Sequence, residues 1–197
     1  AAPGVGKSVI RRITDRAFCE ARGYKFVEGA FITINSDAKF DSQTSGTIGV
    51  HFNEIGHKPE KAWQKEKDSS LMSFLDYADS NVKLLEKPSL EDKDRHVNKA
   101  EFVSAATNCE DLQASRETRW PSALYRRVVM YEFRIKAEYR AKDSMRLDPS
   151  CIENGQVEGW DVYEARLIQA DTEDPKGIVP TRDGRLVNAK RSEWMGM

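Results

Sequence analysis

Residues 1–8 read AAPGVGKS, and this stretch decides how the rest of the sequence is interpreted. Its glycines, lysine and serine are spaced as in the second half of a phosphate-binding loop. Glycines let consecutive backbone N–H groups curl around a polyphosphate, the lysine reaches the outer phosphates, and the serine hydroxyl helps to hold Mg²⁺. The complete pattern has glycine where this chain has Ala1, so a chance turn is the alternative interpretation. The residues expected to hold the phosphates are Pro3, Gly4, Val5, Gly6, Lys7 and Ser8.

The sequence after this loop alternates between helical and extended patterns. Apolar residues recur at helical spacing from Lys7 onward, and Gly23 stands where a glycine would cap the helix. Two further helices are predicted, at 69–78 and around 121–125. Strands are predicted at 26–27, 31–34, 47–52, 101–106 and 128–133. Because strands that alternate with helices form parallel sheets covered on both faces, the predicted fold class is α/β.

Composition excludes several classes of protein. With 197 residues the chain is long enough for one domain with a core, and its net charge of −1 gives the whole molecule no electrostatic preference for nucleic acid or membranes. Its three cysteines are far apart, which argues against a disulfide framework or a zinc knuckle. His51, His57 and His96 share no metal-ligand spacing, so they are interpreted as core or surface residues. No run of ~18 apolar residues predicts a membrane span.

Polar residues follow the predicted strands at their carboxyl ends, which is where open parallel sheets bind ligands. Asn53 and Glu54 end one strand, at the place where an ATPase keeps the groups that organise Mg²⁺ and the attacking water. Asn108 closes the next strand, where a side-chain amide can contact a γ-phosphate. Arg126 and Arg127 follow the short helix, and a guanidinium there can neutralise charge during phosphoryl transfer in a neighbouring subunit. Taken singly, these are also ordinary turn residues and a solvated arginine pair.

The order of these motifs resembles that of the superfamily 3 helicases of positive-strand RNA viruses, especially the picornavirus-like replication ATPase. The resemblance covers residues 1–150. Its motifs are PGVGKS at 3–8, DAKFD at 37–41, VHFNEIG at 50–56, PSLEDK at 88–93, FVSAATN at 102–108 and PSALYRR at 121–127. They resemble the family's Walker A loop, the loop after its second strand, its Walker B strand, the element before its sensor, its sensor strand and its arginine-finger helix. Two departures stand out: Asn53 replaces an acid, and no cysteine cluster follows the core.

The resemblance implies a three-layer P-loop NTPase of the AAA+ type with a parallel sheet. In that fold the strand that leads into the phosphate loop would precede Ala1, so we expect the first strand to be absent and the chain to be a piece of a longer polypeptide. The ATPase core would span residues 1–150, and residues 151–197 would form a C-terminal extension. The implied activity is ATP hydrolysis that drives RNA remodelling by a viral replication helicase.

The resemblance also implies a role for each candidate residue. The implied metal ligands are Ser8, Asn53 and Glu54, and the implied catalytic residues are Glu54, Asn108, Arg126 and Arg127. In these roles Glu54 activates or positions the attacking water, and Asn108 senses the γ-phosphate. The two arginines would act in trans on the ATP of the next subunit, which requires a homo-oligomeric ring, expected to be a hexamer.

Single-stranded RNA is the partner that the resemblance implies. A cation beside an aromatic ring suits single-stranded RNA, so the candidate contacts are Lys39, Phe40, Lys93 and Lys99, with solvated loops as the alternative for each. Other viral replication proteins are further implied partners. The expected location is the cytoplasm of the host cell, on membrane-associated replication complexes, with membrane contact only through regions outside this chain.

Two other functions remain open at this point. One is a nucleotide-binding assembly or RNA-binding scaffold with little turnover, which the amide of Asn53 makes credible. The other is a cellular AAA+ remodelling protein, which the element at 88–93 disfavours. An ATPase assay with and without RNA separates an enzyme from a scaffold.

Overall fold

The computed structural model of the protein describes residues 4–35, 42–56, 69–79, 83–89, 91, 96–118, 121–148, 150–151, 161–173, 185–186 and 189–197. The helices are α1 Lys7–Arg22, α2 Ser69–Ala78, α3 Ala114–Glu117 and α4 Pro121–Tyr125, with a 3₁₀ turn at Ala137–Tyr139. The strands are β1 Phe31–Ile34, β2 Gly49–Phe52, β3 Phe102–Ala105, β4 Met130–Ile135, β5 Tyr163–Gln169, β6 Lys190–Arg191 and β7 Met195–Gly196. Within these ranges no helix is both long and apolar enough to cross a membrane.

Helix α1 forms as the apolar spacing predicts. Ile10, Ile13 and Cys19 are buried, and residues three or four apart share one helical face. Gly23 ends the helix in the left-handed conformation, with a φ of 70°, and its N–H donates to the Glu20 carbonyl 3.1 Å away. The predicted helix and its glycine cap are therefore confirmed.

Three strands form a parallel sheet with the order β1-β2-β3. Phe31, Gly49 and Phe102 stand opposite one another in its register. Only glycine fits between the two phenylalanines, because a Cβ at Gly49 would lie 2.5 Å from Phe31 Cδ1. This sheet, together with the helices around it, confirms the α/β class predicted from the sequence.

Helices lie against both faces of the parallel sheet. On one face the Phe52 ring of β2 contacts the Phe74 ring of α2, with centroids 5.7 Å apart. On the other face the Phe18 ring of α1 contacts the Phe102 ring of β3, with centroids 4.9 Å apart. Phe18 is near the end of α1 and Phe102 begins β3, so the first turn of α1 lies at the carboxyl edge of the sheet.

The strand predicted at 128–133 forms as β4, but its predicted place in the parallel sheet is wrong. β4 pairs antiparallel with β5 in a second sheet, and β6 and β7 pair with the other edge of β5. Opposite charges directly across the β4–β5 ladder favour this register. Arg134 Nε lies 2.6 Å from a Glu164 oxygen, and Arg166 Nε lies 2.6 Å from a Glu132 oxygen. The apolar run at 128–133 predicted an extended segment without indicating its partner.

The prediction of a short strand at 26–27 is also wrong, because these residues pair with no strand that the structure describes. The guanidinium carbon of Arg16, in α1, lies 5.4 Å from the centroid of the Phe26 ring. The Phe26 ring also stacks on the ring of Phe31. After the Gly23 cap the chain thus runs alongside α1 before it enters β1. Phe26 packs against the helix and the sheet edge instead of pairing with a strand, and Val27 is exposed.

A second cluster of buried residues joins the start of the chain to the antiparallel sheet. Its members are Val5, Ile10, Ile13, Ile135, Val162 and Tyr163. The loop before α1 and the strand β5 therefore share one core. The segment proposed as the ATPase core, residues 1–150, and the segment proposed as an extension, residues 151–197, are connected by this cluster and by the β4–β5 ladder.

Candidate phosphate-binding site

The loop before α1 has a backbone that glycine makes possible. Gly4 and Gly6 have φ angles of 81° and 83°, in the left-handed region that residues with a side chain rarely adopt. Gly6 is the N-cap of α1, no side chain among the described residues caps it, and the first turn carries no acidic residue. The first N–H groups of a helix have no acceptor within the helix and form the positive end of its dipole. This end of α1 can therefore bind an anion.

Lys7 and Asn108 meet at the carboxyl edge of the parallel sheet. The Lys7 ammonium donates to Asn108 Oδ1 at 2.5 Å, although the two residues are 101 positions apart in the sequence. Lys7 belongs to the first turn of α1, and Asn108 follows β3. A charge-assisted hydrogen bond of this kind fixes the position of the ammonium beside the loop. The structure thus brings together two of the residues that were predicted to contact phosphate.

Asn53 lies at the same edge, in contact with an arginine that sequence reasoning missed. Arg11 Nη1 donates to Asn53 Oδ1 at 3.1 Å and to Thr33 Oγ1 at 3.1 Å. Arg11 follows Lys7 by four residues, so both side chains project from one stripe of α1. That spacing is the feature of the sequence from which Arg11 could have been found.

Glu54 is held in a left-handed turn after β2, with a φ of 53°. The turn is fixed from the neighbouring strand end, because the Ile55 N–H donates to the Ala106 carbonyl at 3.1 Å. Thr107 Oγ1 in turn donates to the Ile55 carbonyl at 2.8 Å. These bonds keep Glu54, whose side chain is exposed, beside the strand end that carries Asn108. Left-handed conformations of residues other than glycine are concentrated at functional sites.

A buried polar cluster of Asp15, His51 and Ser104 attaches α1 to the sheet. His51 Nε2 lies 3.1 Å from Asp15 Oδ2, and His51 Nδ1 lies 2.6 Å from Ser104 Oγ. The relative exposures of His51 and Asp15 are only 2% and 5%. The same surroundings raise the pKa of the Cys19 thiol, mainly through burial and also through the charge of Asp15. The interpretation of His51 as a core residue agrees with this burial.

A cavity of about 180 Å³ lies beside this cluster, between α1 and residues 26–29. Ser8, Arg11, Asp15 and His51 contribute to its lining. Ser8, the predicted metal ligand of the loop, is exposed in the first turn of α1. The exposed hydroxyl is therefore free to face a ligand that reaches this end of the helix.

The two predicted arginine fingers have different surroundings. Arg127 Nη1 donates to Asp79 Oδ2 at 3.2 Å, within the same chain. Arg126 is exposed, and its guanidinium makes no hydrogen bond or ion pair with the residues that the structure describes. Both follow α4, which Tyr125 anchors by donating to the Asp111 carbonyl at 2.5 Å. Burial first, and then the charges of nearby acidic residues, raise the pKa of Tyr125.

The remaining predicted residues are dispersed or lie outside the described ranges. Pro3, Lys39, Phe40 and Lys93 lie outside them. Lys99 is exposed and precedes β3. Because Asn108 follows the same strand, Lys99 lies at the opposite edge of the sheet from the Lys7–Asn108 contact.

Two side chains from late in the sequence lie against the loop, and the motifs gave no indication of either. A Cβ at Gly6 would collide with the hydroxyl oxygen of Tyr163, and a Cβ at Gly4 would lie 2.9 Å from Arg146 Cγ. Close approach as well as φ therefore requires glycine at position 6, because Tyr163 is fully buried, whereas at position 4 φ alone requires it, because the exposed Arg146 side chain can shift. No local sequence pattern could predict these contacts, because Arg146 and Tyr163 are more than 100 residues away from the loop in the sequence.

No protein-family model matches the chain, and no curated protein matches it either. The family and the activity that the motifs imply are therefore proposals, supported by the motifs and by the geometry of this site.

Proposed function

We propose that the protein binds ATP and hydrolyses it, as a replication ATPase and RNA helicase of the superfamily 3 type with an AAA+ P-loop fold. The observation that carries this proposal is the 2.5 Å hydrogen bond between Lys7 Nζ and Asn108 Oδ1. It joins the lysine of a glycine-rich loop to the amide at a strand end, at the N-terminus of a helix. A chance turn gives no reason for these two motifs to converge.

In the proposed reaction water attacks the γ-phosphorus, the bond to the β–γ bridging oxygen breaks, and ADP and inorganic phosphate leave. Gly4 and Gly6 let the loop backbone approach the phosphates, and the ammonium of Lys7 neutralises their negative charge. Glu54 positions the water and accepts its proton, while Asn108 hydrogen-bonds to the γ-phosphate.

Ser8, Asn53 and Glu54 would hold Mg²⁺, and their oxygen atoms are of the type that this hard cation prefers. The metal would neutralise charge on the phosphate oxygens when it is bound. Asn53 Oδ1 already accepts a hydrogen bond from Arg11 at 3.1 Å. Asn53 therefore fits a contact through a metal-bound water better than direct contact with the metal.

The proposed assembly is a homo-oligomeric ring, expected to be a hexamer, in which Arg126 acts on the ATP of the next subunit. Arg126 suits this role better than Arg127, because Arg127 is paired with Asp79 of its own chain. Single-stranded RNA and other viral replication proteins are the proposed partners, in the host cytoplasm on membrane-associated complexes. Membrane contact would come from regions outside this chain.

A second candidate function is a nucleotide-binding scaffold for RNA or for assembly, with little turnover. The contact between Arg11 and Asn53 favours it, because a guanidinium beside the strand end competes with a metal ion for the same oxygen. The two candidates predict equal ATP binding but different rates of phosphate release.

The first test is Lys7→Ala, measured by ATP binding and by phosphate release. Losing a charge-assisted contact costs about 1.5–3 kcal/mol, so we expect binding to weaken roughly 10- to 100-fold and hydrolysis to be abolished. Lys25→Ala is the matched control, because Lys25 is an exposed lysine outside the site, and it should behave as wild type. Wild-type turnover in Lys7→Ala would show that the loop does not bind ATP. ATP binding without phosphate release in the wild type would favour the scaffold.

A further inference from the structure

The hydroxyl of Tyr163 is buried and has no partner. Tyr163 is 1% exposed, and its oxygen makes no hydrogen bond with any part of the chain that the structure describes. Buried polar groups are normally paired, so an unpaired one needs an explanation. Burial raises the pKa of Tyr163, which keeps the hydroxyl protonated and able to donate at neutral pH.

This hydroxyl is directed at the phosphate loop. It packs against Gly6, where a Cβ would collide with it. The ring of Tyr163 is fixed in the cluster that also contains Val5 of the loop and Ile10 of α1. An anion bound by the N–H groups that begin α1 would lie next to Gly6. The hydroxyl is therefore a donor without an acceptor, held beside the place where an acceptor is expected.

Arg146 supplies a second cation to the same loop. Its side-chain stem lies against Gly4, and its backbone is fixed because the Ala141 N–H donates to the Arg146 carbonyl at 2.9 Å. The Arg146 N–H also donates to Ser144 Oγ at 3.1 Å. Its guanidinium is exposed and makes no hydrogen bond or ion pair within the described ranges. The cation is thus held near the loop, and no carboxylate of the described residues pairs with it.

We propose that Tyr163 and Arg146 complete the polyphosphate site, with Tyr163 donating a hydrogen bond to a phosphate oxygen and Arg146 neutralising part of the polyphosphate charge. The ligand class is a nucleoside polyphosphate, and the inference rests on the proposed ATP-binding function. The site would then need residues from both sides of position 150.

Tyr163→Phe tests the hydroxyl, because it keeps the ring and removes only the oxygen. ATP and inorganic pyrophosphate are titrated into the protein by calorimetry. We expect both to bind about tenfold more weakly, as for the loss of a hydrogen bond to a charged group. The melting temperature without ligand should be unchanged or higher, since an unpaired buried hydroxyl is removed. Tyr139→Phe, a tyrosine packed on the same cluster, is the matched control and should bind as wild type.

Arg146→Gln tests the cation. It should weaken binding of both probes, and Arg146→Lys should restore part of the affinity because it restores the charge. Lys142→Gln, an exposed lysine nearby, is the control. If Tyr163→Phe and Arg146→Gln bind as wild type while Lys7→Ala does not, the inference is overturned and the proposed function stands. If Lys7→Ala also binds as wild type, both are overturned.

Discussion

At Asn53 the candidate site departs most from an ordinary magnesium site. An amide offers only a neutral oxygen, whereas Mg²⁺ favours charged oxygen ligands. Arg11 Nη1 lies 3.1 Å from that oxygen, so a fixed cation shares the space in which a metal would be held. The charge at this place therefore depends on both Asn53 and Arg11, and only Asn53 belongs to the motif at 50–56.

We predict that Asn53→Asp lowers the Mg²⁺ concentration needed for half-maximal hydrolysis. The change should be about fivefold at most, because an exposed charge pair contributes up to about 1 kcal/mol. Arg11 neutralises part of the new charge, so the decrease should be larger when Arg11→Gln is combined with Asn53→Asp. Glu54→Gln is the comparison variant, and it should bind ATP without hydrolysing it. A Mg²⁺ midpoint that is unchanged or higher in both backgrounds would mean that Asn53 is not at the metal.

At the scale of the element, α1 connects the whole candidate site. Its first turn carries Lys7, its second carries Arg11, and Asp15 binds His51 of β2. These three residues are spaced four positions apart, so their side chains lie on one face of the helix. That face contacts Asn108, Asn53 and His51 of the parallel sheet and its strand ends. These contacts attach α1, and the loop that precedes it, to the parallel sheet.

We predict that Asp15→Ala destabilises the fold by about 1–3 kcal/mol, because it leaves the buried imidazole of His51 without its acceptor. Asp15→Asn, which keeps the shape and a hydrogen-bonding oxygen, should cost less. Glu20→Ala, an exposed acid on the same helix, is the control and should stay within ~0.5 kcal/mol of wild type. Urea unfolding measures all three. Equal stability of Asp15→Ala and Glu20→Ala would show that the Asp15–His51 contact does not hold the helix.

Local patterns in the sequence predict single elements better than the contacts between them. The helix α1 could be predicted because its apolar spacing and the cap at Gly23 are local patterns. The strand β4 was found by its apolar run, but its antiparallel partner β5 is a distant segment that no local pattern indicates. Tyr163 could not be found at all, because its contact with Gly6 is made through the core and leaves no spacing in the sequence.

At the scale of the whole molecule, the two arginines after α4 make the trans-acting model testable. Arg126→Ala should bind ATP normally and hydrolyse it slowly, if the guanidinium serves the neighbouring subunit. Mixed with Lys7→Ala protein it should recover part of the activity, because a shared site then combines an intact loop with an intact arginine. Arg127→Ala, which loses only its contact with Asp79, is the control and should change turnover little. No recovery in mixtures that form rings would contradict the assignment of Arg126.

The pairing of β4 with β5 also determines which part of the polypeptide can be transplanted. A chimaera that carried residues 1–150 alone would leave behind β5, and with it the residue that packs on Gly6. A graft that also carried residues 161–197 would keep the ladder and the shared core. Conversely, two separate polypeptides cut between positions 151 and 161 would each hold one half of that ladder. If the loop binds a polyphosphate as proposed, we expect such a nicked protein to recover that affinity only when the halves reassociate.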